Sequence, residues 1–510
     1  MEVISLRSHA RAINDDEEKD LLHPTEDDES DESLDEKGSR RDVTEGKEEP
    51  RVVDEEVYKV TWLRWWVLFV FCFASFVQCL VWFTFSSVPK VAKGYYPGVD
   101  DATIDLLLNW GTIIYIPVLP YVSWLQTRRN GLLIAFWQGN ALIFLATVIR
   151  TIPCWAPAHL RGNFYMQWTL HVGQILNAAA GPIVFAVCSK LSAVWFPDHQ
   201  RATATALAYT SNALGTAVGY ILGPGLAPTV DQMPTLLYVQ IGLASLPILG
   251  GLIYYRERPK HPPSAVALAH REGRYEESFF KGVRGALLNV SFLLCITACG
   301  VQAGVTSGWQ GVLPQALEDL DYTESESGWL GFGNSIAGIA GGVLFGPVTD
   351  IFFKRRSKLL LLLLFGLSTS GFAWFTLSLP TPFGGALIPS TFWTLMTALG
   401  IAGLFQGGIG PALFELSAEL LYPIPEATSG GLLSLLMNMA TLVFLFVSPL
   451  IKTTWFNLIV TSTLLFCGVL GVAQVVLMRE RYRRWEAEVA IYHESQRSLP
   501  HKLRRMEQPN

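Results

Sequence analysis

The sequence predicts an all-α membrane protein with twelve transmembrane helices, arranged as two six-helix halves. Three observations support this prediction. Half of the 510 residues are hydrophobic and 16% are charged, whereas about 25% are charged in an average soluble domain. Apolar segments of about 20 residues, long enough for a helix to cross a bilayer, recur along the chain. A polar stretch in the middle divides these segments into two groups.

The apolar segments form two blocks of six. The first block, within residues 61–255, has its segments near 65–87, 103–125, 132–152, 164–188, 202–225 and 235–255. The second block, within residues 286–478, has its segments near 286–308, 327–349, 358–379, 390–414, 429–449 and 455–478. We expect residues 1–60 to be a disordered acidic cytosolic tail, 256–285 a cytosolic linker and 479–510 a second cytosolic tail.

Lysine and arginine predict the side of each loop, because short cytosolic loops are enriched in both. With a cytosolic N-terminus, the cytosolic loops contain Arg128, Arg129, Lys190, Arg201, Arg256, Arg258, Lys260, Arg271, Arg274, Lys281, Arg284, Lys354, Arg355, Arg356 and Lys358. The opposite loops contain only Lys90, Lys93, Arg150, Arg161 and Lys452. We therefore predict that both termini are cytosolic.

Six helices, a charged linker and six helices resemble the pattern of the major facilitator superfamily. The string Gly-Pro-Val-Thr-Asp at 346–350, with basic residues at 354–356, resembles that superfamily's Gly-x-x-x-Asp loop motif. The matching loop of the first half keeps two arginines but lacks the Asp. The resemblance implies a cytosolic gate in which the carboxylate meets a helix N-terminus and basic side chains. We assign four residues to this gate: Asp350, Arg128, Arg129 and Arg201. The alternative is that the basic residues only anchor loops in the cytosol.

Three longer strings resemble solute carrier family 49. They are His-Val-Gly-Gln-Ile-Leu-Asn at 171–177, Trp-Phe-Pro at 195–197 continuing to Ala206, and Phe-Glu-Leu at 414–416 continuing to Glu426. The resemblance covers roughly residues 62–480. It implies a transporter, since the family includes the feline leukaemia virus receptor transporters, with choline-like or haem-like substrates. A lysosomal member is linked to proton-driven movement of pyridoxine.

The first predicted helix contains a tryptophan near the membrane midplane. Gln78 and Trp82 lie one turn apart on one face of that helix. A tryptophan there is unusual, because indoles prefer the membrane interfaces. Trp82 resembles the aromatic residue with which choline-carrying relatives hold a quaternary ammonium by cation–π attraction. The alternative is a packing role within the helix bundle.

Further polar candidates lie on three other helices. His171, Gln174 and Asn177 form one stripe on the fourth helix, and amides can donate and accept hydrogen bonds with a hydroxylated solute. The alternative for this stripe is hydrogen bonding between helices. Trp309 ends the seventh predicted helix. Asn438 lies mid-span in the eleventh, where the choline-carrying relatives have a glutamine. The predicted binding set is Trp82, Gln78, Gln174, Asn177, Trp309 and Asn438.

Proton coupling needs a group that titrates within the membrane domain. Glu415 and Glu419 lie one turn apart at the predicted cytosolic end of the tenth helix, and a partly buried carboxylate can exchange a proton near neutral pH. His171 is a rival carrier because imidazole titrates near neutral pH. The alternatives are a structural elbow for the two glutamates and a structural role for the histidine.

The N-terminal tail contains a candidate sorting signal. Glu17, four positions before Leu21 and Leu22, resembles the acidic dileucine signal that clathrin adaptors bind. Together with the family's lysosomal member, this motif predicts residence in the lysosomal membrane. The alternative is a chance match to a short motif.

Nothing in the sequence favours an enzyme. It has no Gly-x-x-x-x-Gly-Lys phosphate loop, no His-Glu-x-x-His and no cysteine pair with metal spacing. We expect no cofactor, no metal and no nucleic-acid partner. The expected partners are a small organic solute, protons, the lipid bilayer and a clathrin adaptor. Two alternatives to a pyridoxine carrier remain, namely a choline-like or haem-like carrier and a ligand-binding transceptor with little flux.

Overall fold

The computed structural model describes residues 60–479, except 129, 264–278, 318–319, 354–355, 422–425 and 452. The described residues belong to one compact unit and are nearly all helical. The described first half contains α1 (Leu63–Trp82), α2 (Thr84–Ser87), α3 (Pro89–Tyr95), α4 (Asp101–Thr127), α5 (Gly131–Trp155), α6 (Phe164–Ala186), α7 (Cys188–Trp195), α8 (Asp198–Leu226) and α9 (Met233–Ile253).

The second half is built in the same way. It contains α10 (Phe279–Leu287), α11 (Val290–Ala316), α12 (Glu324–Phe352), α13 (Ser357–Leu377), α14 (Phe392–Leu421), α15 (Glu426–Val447) and α16 (Thr453–Leu477). A 3₁₀ turn, Ser448–Leu450, follows α15. The short elements cap or join the long helices, and the long helices together form a helical bundle.

Hydropathy identifies ten of the described helices as long and apolar enough to cross a membrane. The long helices outside that set are α6 and α8, so the count of twelve spans is not fully confirmed. Both contain polar residues, including His171 and Gln174 in α6 and Asn212 in α8. Helices that bury polar side chains against other helices need less apolar surface than helices surrounded by lipid.

Three details differ from the prediction. The first span, predicted as continuous, ends at Trp82, and α2 begins at Thr84 after a turn at Phe83. The seventh helix continues to Ala316, so Trp309 lies well inside it. Arg150, predicted in an outer loop, lies within α5 and is fully buried. The loop prediction failed because a charge was read as the end of a span, although a membrane helix can enclose a charge that finds hydrogen-bond partners.

Small residues bring the helices close together. In the first half, a methyl group at Gly215 of α8 would lie 2.2 Å from the Phe76 carbonyl oxygen of α1. In the second half, a methyl group at Gly341 of α12 would lie 1.8 Å from the Leu404 carbonyl oxygen of α14. Without a hydrophobic effect between helices in lipid, such close packing supplies much of their association energy.

The two halves meet where α4 packs against α15 and α8 packs against α12. We call the end of the bundle at which α4 begins and α11 ends the distal end. The opposite end, with Arg128 and Lys190, is called the basic end and is the predicted cytosolic side. At the distal end, the Tyr220 hydroxyl of α8 donates a hydrogen bond to the Gln310 carbonyl of α11. The halves are therefore in contact there.

Candidate functional site

Trp82 lies at the end of α1, where the helix is interrupted. Its indole is half-buried, and its Nε1 donates a hydrogen bond to the Leu108 carbonyl of α4 at 2.9 Å. A methyl group at Gly111 would lie 2.4 Å from that Nε1, so the ring occupies space that only a glycine leaves free. The indole is thus wedged between two helices, with part of its surface open.

Gln78 and Asn177 form a reciprocal pair between α1 and α6. The Asn177 amide donates to the Gln78 carbonyl at 3.1 Å, and the Gln78 amide donates to the Asn177 carbonyl at 3.3 Å. Both side chains are buried. Gly181 makes room for them, because a methyl group there would lie 3.1 Å from Nε2 of Gln78. This is the inter-helix hydrogen bonding that was the alternative for Asn177; solute binding by this pair stays a prediction.

The polar stripe on α6, which is the fourth predicted span, contacts two neighbouring helices. Gln174 is buried, and its Nε2 donates to the Trp82 carbonyl at 2.8 Å. His171 instead faces α4, where its Nδ1 accepts a hydrogen bond from Nε1 of Trp110 at 3.1 Å. The Trp168 ring lies 5.4 Å from the imidazole. The stripe therefore contacts α1 through its amides and α4 through its histidine.

A buried arginine completes the polar cluster, and sequence reasoning missed it. The Arg150 guanidinium donates to the Val81 carbonyl at 2.9 Å and to the Gln174 side-chain oxygen at 3.0 Å. It also donates to the Thr84 hydroxyl at 2.8 Å and to the Gln240 side-chain oxygen at 2.9 Å. An arginine within an apolar segment was the signal that could have identified this cluster.

Trp309 is placed differently. It is fully buried in the second half, with the Phe372 and Phe375 rings of α13 at 5.5 and 5.4 Å and nearly perpendicular to it. Edge-to-face contacts of this kind stabilise an aromatic core. Trp309 lies outside the polar cluster, but it belongs to the hydrophobic cluster against which Trp82 packs. Its predicted role in solute binding stays a prediction.

Asn438 lies near the junction of the two halves. It is half-buried on α15, and its amide donates to the Ser434 carbonyl at 2.8 Å. The Ser434 side chain lies within hydrogen-bonding reach of Tyr115 on α4. Since Tyr115 follows Gly111 by about one turn, α4 connects the surroundings of Trp82 with those of Asn438.

A carboxylate at the basic end meets a helix N-terminus within the first half. The two carboxylate oxygens of Glu257 accept hydrogen bonds from the backbone nitrogens of Leu132 at 3.3 Å and Leu133 at 2.7 Å, at the start of α5. Burial raises the pKa of Glu257, while the Leu133 hydrogen bond and the charge of Lys190 act in the opposite direction. Glu257 thus makes the kind of contact expected of the Asp that the first-half loop motif lacks.

The predicted gate residues are only partly described. The Arg128 guanidinium is exposed and lies 4.4 Å from the centre of the Trp124 ring, and its carbonyl accepts a hydrogen bond from Lys190. Arg201 is half-buried near the start of α8. Arg129 and the side chain of Asp350 lie outside the described residues, so the gate stays a prediction.

A second buried carboxylate, also missed by sequence reasoning, joins the halves at the distal end. Asp105 of α4 is buried, with one oxygen accepting from the Gln315 amide at 3.3 Å and the other from the Ser448 hydroxyl at 3.2 Å. Both donors belong to the second half. An Asp one turn inside an apolar segment was the available signal.

The predicted proton carriers cannot all be placed. Glu419 is buried near the end of α14. The side chain of Glu415 lies outside the described residues, as do the sorting residues Glu17, Leu21 and Leu22. The Trp110 hydrogen bond requires that Nδ1 of His171 be unprotonated, so proton uptake at this nitrogen would break it.

Comparison with known proteins agrees with this architecture. The Major Facilitator Superfamily model matches residues 71–443. The chain is 32% identical to the solute carrier family 49 member 4 homolog of Xenopus laevis, across 84% of this chain and 93% of that protein. It is 27% identical to the choline/ethanolamine transporter FLVCR2 of Homo sapiens, across 77% of this chain and 72% of that protein.

The similarity to solved structures concerns the fold. A bacterial homolog of the human lysosomal transporter Spinster, solved in an inward-facing and unoccupied conformation, superposes with a TM-score of 0.57. That match covers 82% of this chain and 95% of the homolog, at 13% identity. Helical architecture, family model and relatives agree that the protein is a multi-pass solute transporter and not an enzyme. The chain belongs to the major facilitator superfamily and, within it, to solute carrier family 49.

Proposed function

We propose that the protein is a proton-driven carrier that moves a small pyridoxine-like solute across the lysosomal membrane. Among its relatives are transporters named for choline and ethanolamine, which are small hydroxylated amines. Pyridoxine combines hydroxyl groups with an aromatic ring nitrogen, so it needs a ring to stack on and amides to bond. The family resemblance to a lysosomal pyridoxine carrier makes it the leading candidate.

The observation that best supports this proposal is the half-buried indole of Trp82 beside a polar cluster. Its Nε1 is already bonded to the Leu108 carbonyl, so a solute would contact the ring itself and not its donor nitrogen. A π face attracts aromatic rings and cations alike. The solute would lie between Trp82 and the half-buried Asn438 amide across the junction of the halves.

The conformational cycle would use the contacts at the two ends. At the distal end, the Asp105 bonds to Gln315 and Ser448 join the halves and must break for a solute to enter from that side. Inside the first half, the Glu257 carboxylate holds α5 at the basic end. Its contact stays within one half, so that half can rock as a rigid body.

The choline-like carrier is the second candidate, favoured by the names of the relatives and by the half-buried indole of Trp82. A permanent cation would bind to Trp82 by cation–π attraction. Competition separates the two candidates. Unlabelled choline should leave pyridoxine exchange unchanged in a pyridoxine carrier, whereas a choline carrier should exchange labelled choline and not pyridoxine.

Counterflow in proteoliposomes tests the proposal. Vesicles loaded with unlabelled pyridoxine should take up labelled pyridoxine transiently, and an acidic compartment on the distal side should increase net movement toward the basic side. Vesicles loaded with choline or haem serve as comparisons. Exchange of choline alone would replace the solute, saturable binding without exchange would favour the transceptor, and no stimulation by acid would remove the proton from the proposal.

Lysosomal residence is tested separately. Replacing Leu21 and Leu22 by Ala should move the protein to the plasma membrane, because a clathrin adaptor would lose its hydrophobic contact. Surface biotinylation measures the change, and Glu426→Gln, remote in sequence from the tail, is the control. An unchanged lysosomal pool would contradict a role for this motif.

A further inference from the structure

We infer that Arg150 is a positioning residue that fixes the interruption between α1 and α2 and thereby orients Trp82. This inference rests on the proposed function for the role of Trp82 in solute binding. The geometry of Arg150 itself does not depend on which solute is carried.

The guanidinium lies at the end of α1, where Phe83, with φ −88° and ψ 0°, separates α1 from α2. Thr84 donates its hydroxyl to the Val81 carbonyl at 2.8 Å, and Arg150 donates to the same carbonyl. The next carbonyl, that of Trp82, accepts from Gln174. Two consecutive carbonyls at a helix end, which would otherwise lack side-chain partners, are thus held by groups from α2, α5 and α6.

The hydrogen bonds form a connected network rather than a set of separate pairs. Gln240 of α9 accepts from Arg150 and donates to the Thr84 hydroxyl at 2.8 Å. Gln174 accepts from Arg150 while donating to the Trp82 carbonyl. Each amide therefore has its oxygen fixed by the guanidinium and its nitrogen aimed at the interruption, so Arg150 determines the direction in which both amides point.

The charge of Arg150 argues against a purely space-filling role, because burying a charge costs free energy. Its four described acceptors are neutral oxygens, and its guanidinium lies 4.8 Å from the centre of the Phe85 ring. A buried charge without a carboxylate partner is expensive within a membrane domain. A planar guanidinium can reach four acceptors in fixed directions, whereas an ammonium cannot reproduce this fork.

The fold also reserves space for this side chain. A methyl group at Gly173 of α6 would lie 2.4 Å from Cγ of Arg150 and 2.9 Å from the Ala146 carbonyl oxygen. The arginine stem therefore passes over a glycine, which lets α5 and α6 approach closely. Gly173→Ala should displace the guanidinium without removing its charge.

The test uses Arg150→Lys, which keeps the charge and loses the fork. In counterflow with labelled pyridoxine, we expect the half-saturation concentration to rise about tenfold, with a smaller change in maximal rate, as for the loss of one charge-assisted hydrogen bond. In a Trp82→Ala background the same substitution should change half-saturation less than twofold. Equal fold-changes in both backgrounds would overturn the inference, since a general structural role does not act through Trp82.

A second measurement does not depend on any solute. In protein labelled with 5-fluorotryptophan, the ¹⁹F resonance of Trp82 is assigned by its loss in Trp82→Phe, and that of Trp309 by its loss in Trp309→Phe. Arg150→Lys and Gly173→Ala should both shift the Trp82 resonance and leave that of Trp309 in place. Arg161→Lys is the matched control, because Arg161 lies against the Tyr95 ring outside this network.

The two measurements separate the possible failures. An unmoved Trp82 resonance in folded Arg150→Lys and Gly173→Ala proteins would overturn the positioning role. If the resonance moves but neither pyridoxine nor choline exchanges in the parent protein, the proposed solute is wrong and the role of Arg150 is retained.

Discussion

Trp82 and Trp309 occupy matching places in the two halves of the molecule. Each is the twentieth residue of the first long helix of its half, α1 and α11 respectively. Their surroundings differ. Trp82 stands at a helix interruption, half-buried and hydrogen-bonded, whereas Trp309 lies inside a continuous helix, fully buried between phenylalanine rings. The same side chain at the same helical position therefore has different surroundings in the two halves, and the neighbouring helices determine them.

The difference originates in what faces each tryptophan. Around Trp82 the neighbours supply donors, namely the Arg150 guanidinium and the Gln174 amide, which bond to the last two carbonyls of α1. Trp309 instead lies beside the Phe372 and Phe375 rings, within a helix that continues to Ala316. We expect Trp82 to supply the aromatic contact with the solute from the first half and Asn438 to supply an amide from the second half, with Trp309 stabilising the core behind it.

The largest expected effect is on energy coupling, which we assign to a carboxylate of the second half. Glu415→Gln keeps size and hydrogen bonding but cannot titrate, so it should abolish proton-driven accumulation while solute exchange continues. Uptake with and without a pH gradient measures both. Glu419→Gln, one turn further along α14, is the matched comparison. Normal pH dependence in Glu415→Gln would move the proton site elsewhere, with His171, Glu419 and then Asp105 as the next residues to test.

Trp309→Ala should have the next largest effect, on stability. Removing a fully buried tryptophan from an aromatic core costs about 3–5 kcal/mol, so the melting temperature and the folded yield should fall. Trp309→Phe should restore part of both. The protein that folds should bind solute with nearly normal half-saturation, and a specific loss of affinity at normal stability would instead make Trp309 part of the binding site.

Gly111→Ala should have the smallest effect and act on the first half alone. The added methyl group would meet Nε1 of Trp82 at 2.4 Å, so the indole must shift and lose its bond to Leu108. We expect half-saturation to rise about threefold to tenfold, as for the loss of one neutral hydrogen bond. Gly366→Ala is the control because no atom lies within 4 Å of its added methyl group. Equal behaviour of the two variants would contradict the wedged position of Trp82.

Much of the fold could be predicted from the sequence because hydropathy depends on the composition of one segment at a time. Most helix bounds lie within a few residues of their predicted positions. The seventh helix was the main exception, since it was predicted near 286–308 although it continues to Ala316. The interruption at Phe83 could not be predicted either, because it depends on donors from other helices.

The candidate site was less predictable than the fold because its residues are brought together by contacts between different helices. Trp82 and Gln174 were identified from unusual polarity within spans, and the structure places them in direct contact. Arg150 and Asp105 were missed because a charge near the end of an apolar segment resembles a loop residue. Their partners lie 66 or more residues away in sequence, apart from Gln174, so only the tertiary structure brings them together.

The most direct test of the comparison measures two quantities on two variants, Trp82→Ala and Trp309→Ala. We predict that Trp82→Ala raises the half-saturation concentration in pyridoxine counterflow, because it removes a cation–π or stacking contribution of about 0.5–2 kcal/mol. The melting temperature should change little, and Trp82→Phe should recover part of the lost affinity. Trp309→Ala should lower the melting temperature and leave half-saturation nearly unchanged. An equal loss of affinity in Trp82→Ala and Trp82→Phe, together with a loss of stability, would contradict a solute-binding role, since Trp82 would then be a packing residue like Trp309.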